Sequence, residues 1–141
     1  MTRIDFHSNV PDKIAYTCRL VRKARAANCT AVIVGSDQGQ LAALDEALWT
    51  FSDQDFLPHV MADDALAAQT PVILATGDTQ EFPHYQVLIN LASETPAQFA
   101  RFERMLEIVS SDAEDKNAGR ERYRFYQQRG YPLTHFVAES S

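Results

Sequence analysis

The sequence has few of the residues from which small catalytic and metal sites are built. Its two cysteines, Cys18 and Cys29, form no CxxC pair, and its four histidines, at 7, 59, 84 and 135, are scattered. No zinc-ligand spacing and no disulfide framework emerge from that pattern. The N-terminus, Met1 to Phe6, lacks the apolar run of a secretory signal, and no stretch approaches the ~18 uninterrupted apolar residues of a membrane span. The cytoplasm is therefore the expected compartment. No serine or cysteine sits in a nucleophile elbow. No internal repeat, low-complexity segment or linker divides the chain, so residues 1–141 read as one domain. Basic residues are the minority: 13 Lys and Arg against 19 Asp and Glu give a net charge of −6. A chain that acidic is disfavoured as a general binder of DNA or RNA, because the phosphate backbone would repel it.

What is present suffices for a packed fold. Apolar residues make up 45% of the chain and charged residues 23%, and aromatics reach 10%, far from the composition of a disordered protein. Ile4 and Phe6 alternate against Arg3 and Asp5, which predicts a strand over 3–8. Pro11 and Asp12 open a helix whose apolar stripe is Ile14, Cys18 and Val21, ending near Asn28. The runs 31–34, 72–74 and 87–91 are short, apolar and largely β-branched, as expected of parallel strands buried on both faces. Asp37 and Gln40 form a capping box for a helix that buries Leu41, Leu44 and Leu48. His59–Met61 reads as a short strand, and Pro96 opens a short helix through Phe102. Met105–Val109 fits a strand or the end of that helix. Ser111 with Glu114 reads as a second capping box, opening a last helix to about Arg129, with Gly130 as its C-cap. This alternation implies an α/β fold with a mainly parallel sheet.

Candidate chemistry is sparse. Gly35-Ser-Asp-Gln-Gly39 follows a strand and opens a helix, where a phosphate loop would sit. It lacks both the GxGxxG pattern and the GKS or GKT ending, and Asp37 would bring negative charge to the phosphate. A nucleotide-binding α/β enzyme using this turn is the competing reading; a tight turn with an N-cap is the simpler one. Asp45 and Glu46 point ~100° apart on a helix and do not converge. Arg19, Arg22, Lys23 and Arg25 read as the solvated face of the first helix. Trp49, the only tryptophan, lies at a helix end close to Phe51, Phe56, Leu57 and Pro58. Aromatics grouped in that way either cap a core or anchor a protein partner.

The last helix is less ordinary. Residues 116–129 carry five bases against one acid, a local charge of +4, which leaves −10 for the rest. With Lys116 at 0°, Arg120 lies near 40°, Tyr123 near −20° and Arg124 near 80°, while Arg122 and Arg129 fall on the opposite side at about 240° and 220°. Three cations around one aromatic suit an anionic, partly apolar ligand, and a solvated helix face with snorkelling arginines is the alternative reading.

Two segments also carry a family resemblance. Leu44-Asp-Glu-Ala-Leu-Trp49 followed by Phe56-Leu-Pro-His59, and Arg120-Glu-Arg-Tyr-Arg124 followed by Tyr126 and Gly130-Tyr131, resemble the chi subunit of bacterial DNA polymerase III. The resemblance implies a Rossmann-like three-layer α/β sandwich without a nucleotide-binding loop, catalytic site, metal or cofactor. It implies a replisome-associated adaptor of the clamp loader that binds the acidic C-terminal tail of single-stranded DNA-binding protein. The tail-binding set falls on Lys116, Arg120, Tyr123 and Arg124. A second set, Trp49, Phe56, Leu57 and Pro58, would face the psi subunit, or a replacement such as a repair helicase.

Overall fold

The computed structural model describes residues 1–50 and 57–138. Seven strands form one sheet: β1 (Arg3–Val10), β2 (Ala31–Gly35), β3 (His59–Met61), β4 (Val72–Thr76), β5 (Val87–Asn90), β6 (Arg104–Ser110) and β7 (Leu133–Val137). Their order is β3-β4-β2-β5-β6-β1-β7, and every neighbouring pair is parallel. Parallel strands require crossovers, and the three helices are α1 (Lys13–Ala26), α2 (Gln38–Thr50) and α3 (Ala113–Gln128).

The central strands are wholly buried, as their continuous apolar runs require. Their alternate residues feed two separate cores. Ala31 and Ile33 of β2 join Cys18 and Val21 of α1 and Leu41, Leu44 and Leu48 of α2. Val32 and Val34 join Ile4, Phe6 and Tyr126 of α3 on the other face. Helices therefore cover both sides of the sheet, giving three layers in the Rossmann-like manner. No helix among the described residues is long and apolar enough to cross a membrane.

Several local expectations change. Pro96 to Phe102 forms no extended helix, only a 3₁₀ turn at Phe99–Arg101. Phe99 and Phe102 are both buried there, so the turn is held by burial rather than by helical repetition. Met105–Val109 belongs to β6, whose residues 105–109 are all buried. The N-cap of α3 is Asp112, not Ser111; its carboxylate accepts the Asp115 N–H. Asp37 and Gln40 do act together: Asp37 Oδ1 accepts the Gln40 N–H at 2.8 Å, and Gln40 Oε1 accepts the Ser36 N–H at 2.7 Å. Gly130 follows α3 at φ +80°, the left-handed conformation expected of a residue just past a helix end.

The strand that sequence reasoning missed is β7. It lies at the sheet edge beside β1, pairing Ile4 with Leu133 and Ser8 with Val137. A polar clasp fastens it: Asp5, nearly buried, accepts hydrogen bonds from Thr134 Oγ1 and from Arg104 Nε, the latter at 2.8 Å. Burial alone would raise the Asp5 carboxyl, but Thr134 and Arg104 outweigh it and hold it below the ordinary carboxylate range.

Candidate functional site

Lys116, Arg120, Tyr123 and Arg124 come together as the helical spacing predicts. All four line one groove of about 430 Å³ between α3 and the β1–β7 edge. The three cations are exposed and Tyr123 is half-buried. Tyr123 is fixed by the ring of Phe6 on β1, edge to face at 5.1 Å. Its own ring is thus left as a fixed apolar surface between exposed cations, a combination that can hold carboxylates and a neighbouring apolar side chain together.

Sequence reasoning missed the opposite wall. Ser8 of β1 and His135 of β7 line it, joined by a 2.6 Å hydrogen bond between Ser8 Oγ and His135 Nε2. Gly119 lies against the floor. A Cβ there would approach Val109 Cγ2 of β6 to 2.8 Å, so only glycine lets α3 settle this close to the sheet. A glycine inside a helix costs roughly 1 kcal/mol against alanine; its presence in the middle of α3 was the readable sign of that close approach.

The other two basic residues of 116–129 do different work. Arg129 lies over the Phe125 ring at 3.8 Å. Arg122 is buried and reaches Glu107, itself inaccessible, with Nε 3.1 Å from Oε2. Glu107 also accepts hydrogen bonds from Tyr126 Oη at 2.6 Å and Asn90 Nδ2 at 2.9 Å. Arg122 Nη1 donates to the Ser93 carbonyl at 2.7 Å. Burial raises the Glu107 carboxyl above its ordinary range, although Arg122 and the two donors pull against it. The local charge of +4 is therefore an overstatement of what solvent meets, since one of the five cations is neutralised inside.

The aromatic patch is only partly described. Phe56 lies outside the described residues. Trp49 is half exposed, with its ring 4.5 Å from that of His59. His59 is buried on β3, hydrogen-bonded to the Leu57 carbonyl at 2.6 Å and 3.0 Å from Asp45. Leu57 is 8% exposed and belongs to the α1–α2 core, so its side chain is packed inside and offers little surface to a partner. Pro58 is half-buried.

The Gly35 turn borders a larger crevice of about 700 Å³ at the C-terminal ends of β2, β4 and β5, where Rossmann-like folds place ligands. Asp78 and Glu94 line it, and no Lys or Arg does. The Ser36 and Gln40 N–H groups at the start of α2 are already taken by side chains. With two of the donors near the helix start occupied and no cation in the lining, the crevice is poorly suited to a nucleotide. No group of three or more metal-ligating side chains occurs among the described residues.

Comparison with known proteins bears on the whole arrangement. A family model described as DNA polymerase III chi subunit, HolC, matches residues 1–134. The chain is 34% identical over 137 residues to the DNA polymerase III subunit chi of Pseudomonas aeruginosa, covering 94% of each. It is 26% identical over 117 residues to that of Haemophilus influenzae, covering 83% of this chain and 81% of the other. The Escherichia coli chi subunit is also 26% identical, over 116 residues, covering 82% and 79%. The match runs through β1 and α3, two of the elements that build the groove, and the chain belongs to the DNA polymerase III chi subunit family.

Proposed function

We propose that this chain serves DNA replication as a non-catalytic adaptor, tying single-stranded DNA-binding protein to the polymerase III clamp loader. The groove between α3 and β7 takes that protein's acidic C-terminal tail. The observation that carries this reading is the convergence of Lys116, Arg120 and Arg124 around the fixed ring of Tyr123 in one groove. The tail's terminal carboxylate pairs with Arg120 or Arg124, and an adjacent apolar side chain packs on Tyr123. Such contacts are exposed, so binding weakens with salt. A flexible tail also loses entropy on docking, which keeps a single contact modest. Many tails along a coated DNA strand restore occupancy through effective concentration.

Titration calorimetry with a synthetic acidic tail peptide tests the assignment. Arg120→Ala is expected to weaken binding by ~1–3 kcal/mol, the range for losing a charged hydrogen bond. Unchanged affinity would remove Arg120 from the site.

The exposed Trp49, together with Phe56, Leu57 and Pro58, is assigned to a separate docking face for the psi subunit or a replacement such as a repair helicase. Trp49→Ala should abolish co-purification of that second partner while leaving the peptide titration unchanged. Retention of the partner would make the tryptophan a core cap only.

A further inference from the structure

The groove opens onto a sheet edge that no other strand covers among the described residues. Two backbone bonds fix which way β7 faces: Ile4 N–H donates to Pro132 O at 3.0 Å, and Ala138 N–H donates to Ser8 O at 2.8 Å. Main-chain groups alternate sides along a strand. Even-numbered residues from 132 to 138 therefore turn theirs toward β1, and Leu133, His135 and Val137 turn theirs outward. These outward groups lie where a further strand would pair. The strand is also unguarded in its side chains: Phe136 is 50% exposed and Val137 65%, whereas natural edges are usually short, charged or covered.

Both helices that flank this edge carry exposed cations. On one side lie the groove cations of α3. On the other, residues 13–26 of α1 carry five cations and no acid, with Arg19 and Lys23 exposed. A ladder of rings leads there from the edge: Phe136 stacks on His7 at 5.2 Å, His7 bonds the Tyr16 hydroxyl, and the Arg19 guanidinium lies 5.6 Å from the Tyr16 ring. His135 belongs to both features, its side chain in the groove and its main chain on the edge.

We propose that β7 is a strand-addition site for an acidic peptide. The segment that precedes the groove-bound terminus lies along β7 as an eighth strand, between the two rows of cations. This rests on the groove reading given above and extends it. Main-chain donors and acceptors in register recognise a peptide backbone, and the charge on both flanks selects acidic side chains on it. The five residues of β7 accommodate an extended segment of roughly 17 Å.

Two labelled acidic peptides with the same apolar terminus and free carboxylate test this: a short one of roughly four residues, and a long one of roughly twelve, ample at ~3.3 Å per residue to cover both groove and edge. The long peptide should bind about fivefold to tenfold more tightly, the gain of one or two net hydrogen bonds. Val137→Pro removes an outward N–H and leaves the β1 ladder intact, a position where an edge strand tolerates proline. It should erase the gain of the long peptide and spare the short one. N-methylating the long peptide at alternate upstream residues should do the same on unaltered protein. If the short peptide binds and the long one gains nothing, strand addition is overturned while the groove stands. If neither binds, the groove reading itself fails. Binding of an oligothymidylate that Val137→Pro abolishes, or a dimer that Val137→Pro dissociates, would overturn the assignment in favour of nucleic acid or of a second copy.

Discussion

Replacing Glu107 by alanine is expected to lower the stability of the fold by about 3–5 kcal/mol, because it leaves the Arg122 guanidinium buried without its counter-charge. Glu107 is fully buried and Arg122 4% exposed, so water cannot take over the lost contacts. Tyr126 and Asn90 lose their acceptor in the same step. The damage is not confined to the core. Arg122 holds the Ser93 carbonyl, and Tyr126 Oη holds Thr95 Oγ1 at 3.2 Å, so the loop after β5 loses its supports as well. Urea unfolding measures the effect. A double variant, Glu107→Leu with Arg122→Met, should recover a substantial part of the loss, since replacing both ions by packed apolar groups is often neutral or favourable. If Glu107→Ala unfolds at the wild-type midpoint, the network does not hold the fold together. The pH dependence has a definite sign. The Glu107 carboxyl is raised in the fold, so its contribution is fully present below the ordinary carboxylate range and declines as pH rises through its own higher value. The margin of the wild type over Glu107→Gln should narrow from acid toward neutral pH.

The second large effect is expected at Gly119. Gly119→Val places a branched side chain where even a Cβ would sit 2.8 Å from Val109 Cγ2. Val109 is 4% exposed, and its χ1 is stiff, so α3 must move. Overpacking of this kind costs about 1–3 kcal/mol and sometimes more. A shift of α3 also separates the cations from Ser8 and His135 across the groove, so tail-peptide affinity should fall though no cation has been changed. Gly39→Ala on α2 is the control. Its Cβ would meet only Asp37 Oδ1, the cap of the Gln40 N–H, at 3.3 Å, so helix propensity and the nudged cap oppose each other and a change within ~1 kcal/mol is expected. Equal stability of Gly119→Val and wild type would show that the helix does not depend on this approach.

Comparing these two sites shows what can be read from a single chain. The groove face of α3 was legible because helical geometry converts spacing directly into direction: positions 116, 120, 123 and 124 must share a side. The buried role of Arg122 was not legible, although the same geometry put it opposite the groove. Its burial depends on Glu107, fifteen residues away on a strand whose pattern was ambiguous. The layered fold was visible in the apolar runs of β2, β4 and β5, which no solvated element would carry. The edge strand β7 was invisible for the opposite reason. Four of its five residues are exposed, and what fastens it is Asp5 at the other end of the chain. The helix expected after Pro96 shrank to a single turn because Phe99 and Phe102 are drawn into the aromatic cluster around Tyr126 and Tyr85.

The position of β1 has a consequence for synthesis. Both of its partners come late in the chain: Arg3 pairs with Arg104, and Ile4 with Leu133. At about 5–20 residues per second on the ribosome, the first strand made waits roughly 5–20 s for its first neighbour. During that wait Ile4 and Phe6 have no neighbouring strand to pair with, and the His135 side of the groove is still missing. The groove is completed only when the last strand docks. A chain stopped short of β7 therefore lacks the His135 side of the groove even where its central strands have folded. The groove thus forms only once two residues 127 positions apart in sequence, Ser8 and His135, have met.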